Sequence, residues 1–235
     1  EGLMSALSAA LSDVDTDKSV RAVIIAANGP AFSSGHDLKE LTARRSDADC
    51  GRAYYQKIMR QCSAMMQQIV MLPKPVIAQV HGIATAAGCQ LVASCDLAIA
   101  AEGTRFATPG VNIGLFCSTP MVALSRNVSR KHAMEMLLTG DMIDAARAAD
   151  MGLINHVVPH DDLARATTEL AEKIAGKSSL TLAIGKQAFY EQLEKPLDEA
   201  YDFASDVMVK NMLARDAEEG IGAFIEKRHP VWEDK

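Results

Sequence analysis

Residues 81–96, His-Gly-Ile-Ala-Thr-Ala-Ala-Gly-Cys-Gln-Leu-Val-Ala-Ser-Cys-Asp, join a tight turn to a run of small side chains that opens a helix. A helix start leaves its first N–H groups without intrahelical acceptors, and its dipole favours negative charge there. Ala86, Ala87 and Gly88 carry almost no side chain, so a ligand oxygen can come close to those N–H groups. The chemistry this suits is the holding of an anion, or of an oxygen that gains charge during a reaction. A second stretch, Ala31-Phe-Ser-Ser-Gly-His-Asp-Leu-Lys-Glu40, repeats the design. A glycine turn feeds a helix whose first turn carries Asp37 and Glu40, the right sign for that end.

The side chains nearby each admit two readings. His36 titrates near neutrality and could move a proton; the preferred reading is that only its backbone matters and its ring turns away. Asp37 could be catalytic, but its position suits a helix cap. Gln90 either holds a water or a ligand through its amide or merely fills its place on the helix. Asn112 and Ser118 read as turn or cap residues. Cys117 has no His partner indicated by the sequence and reads as an ordinary half-buried thiol. Met65, Met66, Met134 and Met136 read as core filling.

The elements that hold these residues follow from hydrophobic patterning. Leu3, Leu7 and Leu11 predict a helix over 2–13. Residues 21–27 and 76–80 are apolar and rich in β-branched side chains, hence buried strands, and residues 96–101 form another. A polar, mobile loop is expected over 41–51. A helix is expected over 52–72, ended by Pro73, and another over 86–94. Further helices are expected at about 120–127 and 130–139, a short one over 144–151, and a last strand over 153–158. From residue 161 the pattern is helical, with breaks near 176–179, 195–196 and 220–222. Strands alternating with helices give an α/β class with a largely parallel sheet. The division expected is a core over 1–160 and a helical C-terminal region over 161–235.

Composition narrows the function. The 235 residues are 49% hydrophobic, enough for a sizeable core, and the formal charge of −6 comes without a basic run. A nucleic-acid footprint is therefore absent. Cys50, Cys62, Cys89, Cys95 and Cys117 are scattered and odd in number, and none forms a CxxC pair. A disulfide framework or a metal site is not expected, and a reducing, intracellular compartment fits. No apolar run reaches membrane-spanning length. The chain opens inside a helix-like pattern, so an upstream segment, with any targeting signal, is expected to be missing.

Taken together, these motifs resemble the enoyl-CoA hydratase/isomerase (crotonase) superfamily. Phe32-Ser-Ser-Gly-His-Asp-Leu-Lys-Glu40 resembles its first signature, and Pro73–Asp96 its second. Phe106-Ala-Thr-Pro-Gly-Val-Asn-Ile-Gly-Leu115 resembles the third. Ala133–Asp141, Ala146–Val158 and Glu219–Arg228 match later segments in order and spacing.

The resemblance implies a crotonase-like spiral core of repeated ββα units, here without the N-terminal strand pair. It also implies a helical C-terminal trimerisation region, a homotrimer or dimer of trimers, and an acyl-CoA thioester as ligand. No cofactor is implied, because coenzyme A arrives as part of the substrate. By motif position the backbone N–H groups of His36 and Ala87 would hold the thioester oxygen as it becomes an enolate. Asp37, Leu38, Lys39 and Gly88 would line the substrate, and Phe224 and Lys227 would reach coenzyme A, commonly on a neighbouring subunit. Such proteins work in the bacterial cytoplasm or the mitochondrial matrix. The family's hydratases use two glutamates to add water, and here those positions are Gln90 and Gly110. An amide and a bare backbone cannot exchange protons near neutral pH, so efficient hydration is not expected. The expectation that follows is that a Gln90→Glu, Gly110→Glu double variant gains hydration.

Overall fold

The computed structural model describes residues 1–235. Helix α1 (Gly2–Thr16) leads into strand β1 (Val23–Ile25), then the short helix α2 (Leu38–Ala43) and the long helix α3 (Arg52–Met71). Strands β2 (Val76–Val80) and β3 (Ile83–Thr85) precede α4 (Ala87–Ser94), which is followed by β4 (Leu97–Ala101) and β5 (Arg105–Ala107). Helices α5 (Pro120–Asn127) and α6 (Arg130–Thr139), strand β6 (Ile143–Asp144), α7 (Ala145–Asp150) and β7 (His156–Val158) complete the sheet-bearing part. Four helices follow: α8 (Leu163–Ala175), α9 (Ser179–Gln192), α10 (Leu197–Met212) and α11 (Arg215–Glu226).

One sheet runs β1-β2-β4-β7, all parallel, and a smaller one runs β3-β5-β6. The side-chain period of two sends Val76, Ala78 and Val80 of β2, with Ala98 and Ala100 of β4, into the main core. Ile99 and Ala101 point to the opposite face, where Leu163 and Leu170 of α8 cover them. Both faces of the sheet are thus dry, which is why its strands read as unbroken apolar runs. The chain pairs its two sheets through the turn after β2. Phe32 N–H donates to His81 O (3.0 Å), Ser33 N–H to Ile83 O (3.0 Å), and Thr85 N–H to Ser33 O (2.9 Å). The first signature therefore lies alongside β3 like an added strand.

Three local expectations change. Residues 41–51 form ordered turns and not a mobile loop: α2 runs to Ala43 and a 3-10 turn covers Arg44–Ser46. Asp49 then accepts from Gly51 N–H (3.0 Å) and Ala53 N–H (2.8 Å), starting α3. Helix α11 passes without a break through Gly220 and Gly222, because tertiary packing overrides the low propensity of glycine; Trp232 lies against Gly220. Strands β3, β5 and β6 are too short to show a period, so only their partners define them.

No helix is long and apolar enough to cross a membrane. All five cysteines are free thiols, and all but Cys50 are buried.

Candidate functional site

The two glycine-marked turns meet. Gly35 holds φ at +95°, and a Cβ there would lie 3.0 Å from Ala86 Cβ and 3.2 Å from Ala87 N. Only a glycine lets the two loops approach this closely. Gly88 is pressed just as hard on the other side, where an added Cβ would stand 2.1 Å from Ser33 O. Ala86 is the one alanine at positive φ (50°, with ψ −118°), an unusual backbone for a residue with a side chain. Its N–H donates to Ala107 O (3.0 Å), and Gln90 N–H donates to its carbonyl (3.0 Å), so the turn is pinned from both sides. The result is a helix start in which the N–H groups of Ala87, Gly88 and Cys89 find no acceptor in the chain; that of His36, in the facing loop, finds none either.

The side chains of the first signature divide. Asp37 caps α2, accepting from Lys39 N–H (2.8 Å) and Glu40 N–H (3.4 Å). Leu38 and Lys39 are exposed. His36 lines a cavity of about 200 Å³ with Gly35, Asp37, Glu40, Tyr54 and Ile58 among its walls. Its Nε2 is buried without a partner. Burial disfavours the imidazolium, so the ring's pKa falls below its ordinary value. Tyr54 donates to Glu40 Oε1 (2.6 Å), and that bond pushes the phenol up to about 12. Ala87, Gln90 and Gly110 are not part of this cavity wall; Ala87 packs toward Cys62, Met65 and Met66 of α3. Met4 belongs both to that contact and to the cavity wall.

Gln90 is 4% exposed, and its Oε1 has no hydrogen-bond partner. Thr108, two residues before Gly110, is fully buried with an unpartnered Oγ1. Three of the four unpartnered buried polar side-chain atoms, on His36, Gln90 and Thr108, thus lie in or beside the signature turns; the fourth is Gln61 Oε1.

Gly110 begins a closed loop in which Leu115 N–H returns to Gly110 O (2.9 Å). A Cβ at 110 would meet Leu115 O at 2.6 Å and Cys117 Sγ at 2.9 Å. The space for a second glutamate is therefore filled by the loop and by Cys117. That thiol is held neutral by burial, against a modest pull from the Gly110 N–H. A glutamate at 110 would have to displace this loop or the Cys117 side chain.

Phe224 lies on α11, which packs against α9 and α10, and Lys227 caps the end of that helix. Phe224 is 85% exposed. A larger cavity, about 470 Å³, lies between the α1–β1 connection, Pro73–Pro75 at the head of the second signature, the start of α9 and the C-terminal tail, and neither of the two turns lines it. Glu40, Tyr54 and Ile58 were not legible as site residues. Their only signal is the pairing of Tyr54 with Glu40 across 14 positions, which no local pattern reveals.

The family model for enoyl-CoA hydratase/isomerase matches residues 1–235. The chain is 53% identical over 213 residues to the rat "enoyl-CoA hydratase domain-containing protein 3, mitochondrial", covering 91% of this chain and 69% of the relative. It is 51% identical to the human protein of that name over 230 residues, covering 98% of this chain and 74% of the relative. Among solved structures, a Mycobacterium smegmatis enoyl-CoA hydratase superposes with a TM-score of 0.92 at 50% identity, covering 97% of this chain and 87% of that one. The human enoyl Coenzyme A hydratase domain-containing protein 3 superposes with a TM-score of 0.93 at 49% identity, covering 98% and 89%.

Proposed function

The chain belongs to the enoyl-CoA hydratase/isomerase family, and on that premise we propose that it binds an acyl-CoA thioester and stabilises its enolate through the N–H groups of His36 and Ala87. The single observation that carries this reading is the pair of loops pressed together at Gly35 and Ala86, each ending in amides without acceptors. A thioester oxygen entering between them accepts two hydrogen bonds, and the start of α4 adds its dipole. These bonds strengthen as the oxygen gains charge, which is what lowers a barrier instead of merely tightening binding. Asp37, Leu38, Lys39 and Gly88 border the ligand in this reading. Phe224 and Lys227 reach coenzyme A across a trimer or hexamer contact, consistent with the exposed Phe224. The compartment proposed is the mitochondrial matrix or the bacterial cytoplasm, in keeping with the names of the relatives.

Water addition is not the proposed reaction. Gln90 cannot exchange a proton near neutrality, and position 110 has no room for a side chain. Each lost acid–base group costs about 100- to 10,000-fold. The same two features favour a second reading, an acyl-CoA-binding or regulatory protein without turnover. Calorimetry with butyryl-CoA and free CoA, run beside a crotonyl-CoA hydration assay, tests both. Thioester binding tighter than that of CoA, with hydration far below that of a two-glutamate hydratase, is expected. Absence of any thioester binding removes both readings, and rapid hydration contradicts the claim about the glutamates.

A further inference from the structure

The elements packed most closely on α4 are α3, β3 and α5, and none of them carries a side-chain acid. No Asp or Glu occurs from Cys50 to Cys95 or from Gly103 to Met134. Asp37, beside His36, spends its carboxylate on the first amides of α2. Donors, by contrast, are in surplus. A thioester oxygen uses the N–H groups of His36 and Ala87, and those of Gly88 and Cys89 still lack acceptors. Gln90 stands three residues after Ala87 on the same helix, a spacing that makes their side chains neighbours. Helical side chains lean toward the N-terminus, so its carboxamide lies over the end where the amides open. That side chain is 4% exposed, and its Oε1 is unpartnered. Rotation about its last bond presents the NH2 group in place of Oε1. Thr108 follows Ala107, whose carbonyl takes the Ala86 N–H, so its buried, unpartnered hydroxyl belongs beside the same turn. A helix end with unspent donors and no carboxylate of its own favours a second negative group on the ligand.

We infer that the acyl group taken here carries a carboxylate on its α-carbon, as in a malonyl-type thioester, and that the reaction is loss of that carboxylate as CO2. The inference rests on the thioester reading above and names its substrate class. An enolate made by proton removal needs a base, and positions 90 and 110 supply none. An enolate made by loss of CO2 needs no base, because the electron pair comes from a carbon–carbon bond. In the step, the bond between the α-carbon and the carboxylate carbon breaks, and CO2 leaves. The freed pair becomes the double bond between the α-carbon and the thioester carbonyl carbon. The carbonyl π pair moves onto the oxygen held by the His36 and Ala87 amides. Water then gives a proton to the α-carbon as the carbonyl re-forms, leaving the acyl-CoA and hydroxide. Gln90, with Thr108, holds the departing carboxylate by neutral hydrogen bonds. A lysine or arginine in that place would stabilise the carboxylate before reaction more than the CO2 after it, whereas an amide orients the group with less of that penalty.

The test uses the full chain with malonyl-CoA and methylmalonyl-CoA, following CO2 release and the acetyl-CoA or propionyl-CoA formed by mass spectrometry. Butyryl-CoA binding is measured alongside by calorimetry. Expected is decarboxylation of at least one of the two thioesters above a protein-free control. Gln90→Leu removes a hydrogen bond to a charged group and should lose roughly 10- to 100-fold in that rate. Its butyryl-CoA affinity should stay within ~3-fold of wild type, since the amides survive. A purely structural role would lower both together. Where Gln90→Leu does not fold, the isosteric Thr108→Val takes its place with the same split expected. A wild type that binds butyryl-CoA but releases CO2 from neither thioester, or a folded variant that decarboxylates at the wild-type rate, overturns the inference and leaves the binding reading standing. Failure to bind any acyl-CoA overturns both.

Discussion

Gly35 stands where the account is most sensitive to a single atom. A methyl group there meets Ala86 Cβ at 3.0 Å and Ala87 N at 3.2 Å, at a φ of +95° that an L side chain resists. Gly35→Ala should lose about 1–2 kcal/mol in urea unfolding from the backbone alone. It should also lose acyl-CoA affinity in calorimetry, because the methyl sits over the Ala87 amide. Unchanged affinity would mean that this amide does not meet the ligand. At His36 the direction of the pKa shift fixes a pH dependence. The ring shares its cavity with Glu1, Asp37, Glu40 and Tyr54, and burial, helped by the N-terminal ammonium, outweighs the opposing pull of Glu40. The base form therefore persists below the ordinary value of 6.5. The neutral fraction of the His36 imidazole, followed by NMR titration, should stay flat through neutrality and fall only as pH drops through the lowered pKa. A ring that titrates at or above 6.5 would contradict the effect given to its burial.

Helix α4 and its entry turn are the element that positions the amides. Ser33 O lies in the space any Cβ at Gly88 would take, 2.1 Å away. Gly88→Ala should therefore push the first signature off β3, costing about 1–3 kcal/mol in denaturant unfolding. An unperturbed variant would show that the two turns are not rigidly coupled. This element was largely legible in the sequence, since Ala86, Ala87 and Gly88 announce a backbone surface and Val76–Val80 a buried strand. The cavity around the His36 ring was not, because its walls come from the α1, α2 and α3 regions, which no local pattern joins. The closure at Gly110 was equally hidden. A glycine reads as a missing side chain, whereas the contact with Leu115 and Cys117 shows a filled space. The fate of 41–51 turned on caps from Asp37 and Asp49, polar residues that read as loop when their partners are unseen.

Across the molecule, a buried ion pair adds to the packing of α8 in fastening the helical C-terminal part to the sheet-bearing part. Lys186 of α9 donates to Asp96 Oδ2 (2.7 Å) and to the carbonyls of Ile69 and Lys74 (3.0 Å each). Tyr190 donates to Asp96 Oδ1 (2.9 Å). Lys186→Met removes one partner and strands the Asp96 charge, so unfolding in urea should weaken by about 3–5 kcal/mol. A loss below about 1 kcal/mol would place the pair among exposed ones instead. Beyond this joint, Leu197, Tyr201, Leu213 and Phe224 leave apolar surface open on α10 and α11 and the turn between them, which fits the proposed trimer contact. The clearest test of the whole scheme is infrared difference spectroscopy of butyryl-CoA carrying a carbon-13 label at its thioester carbonyl. Bound to this protein, the C=O stretch should move to lower frequency, and the Gly35→Ala variant should abolish the shift. A bound thioester whose carbonyl band stays at its solution frequency would contradict the role given to the two amides.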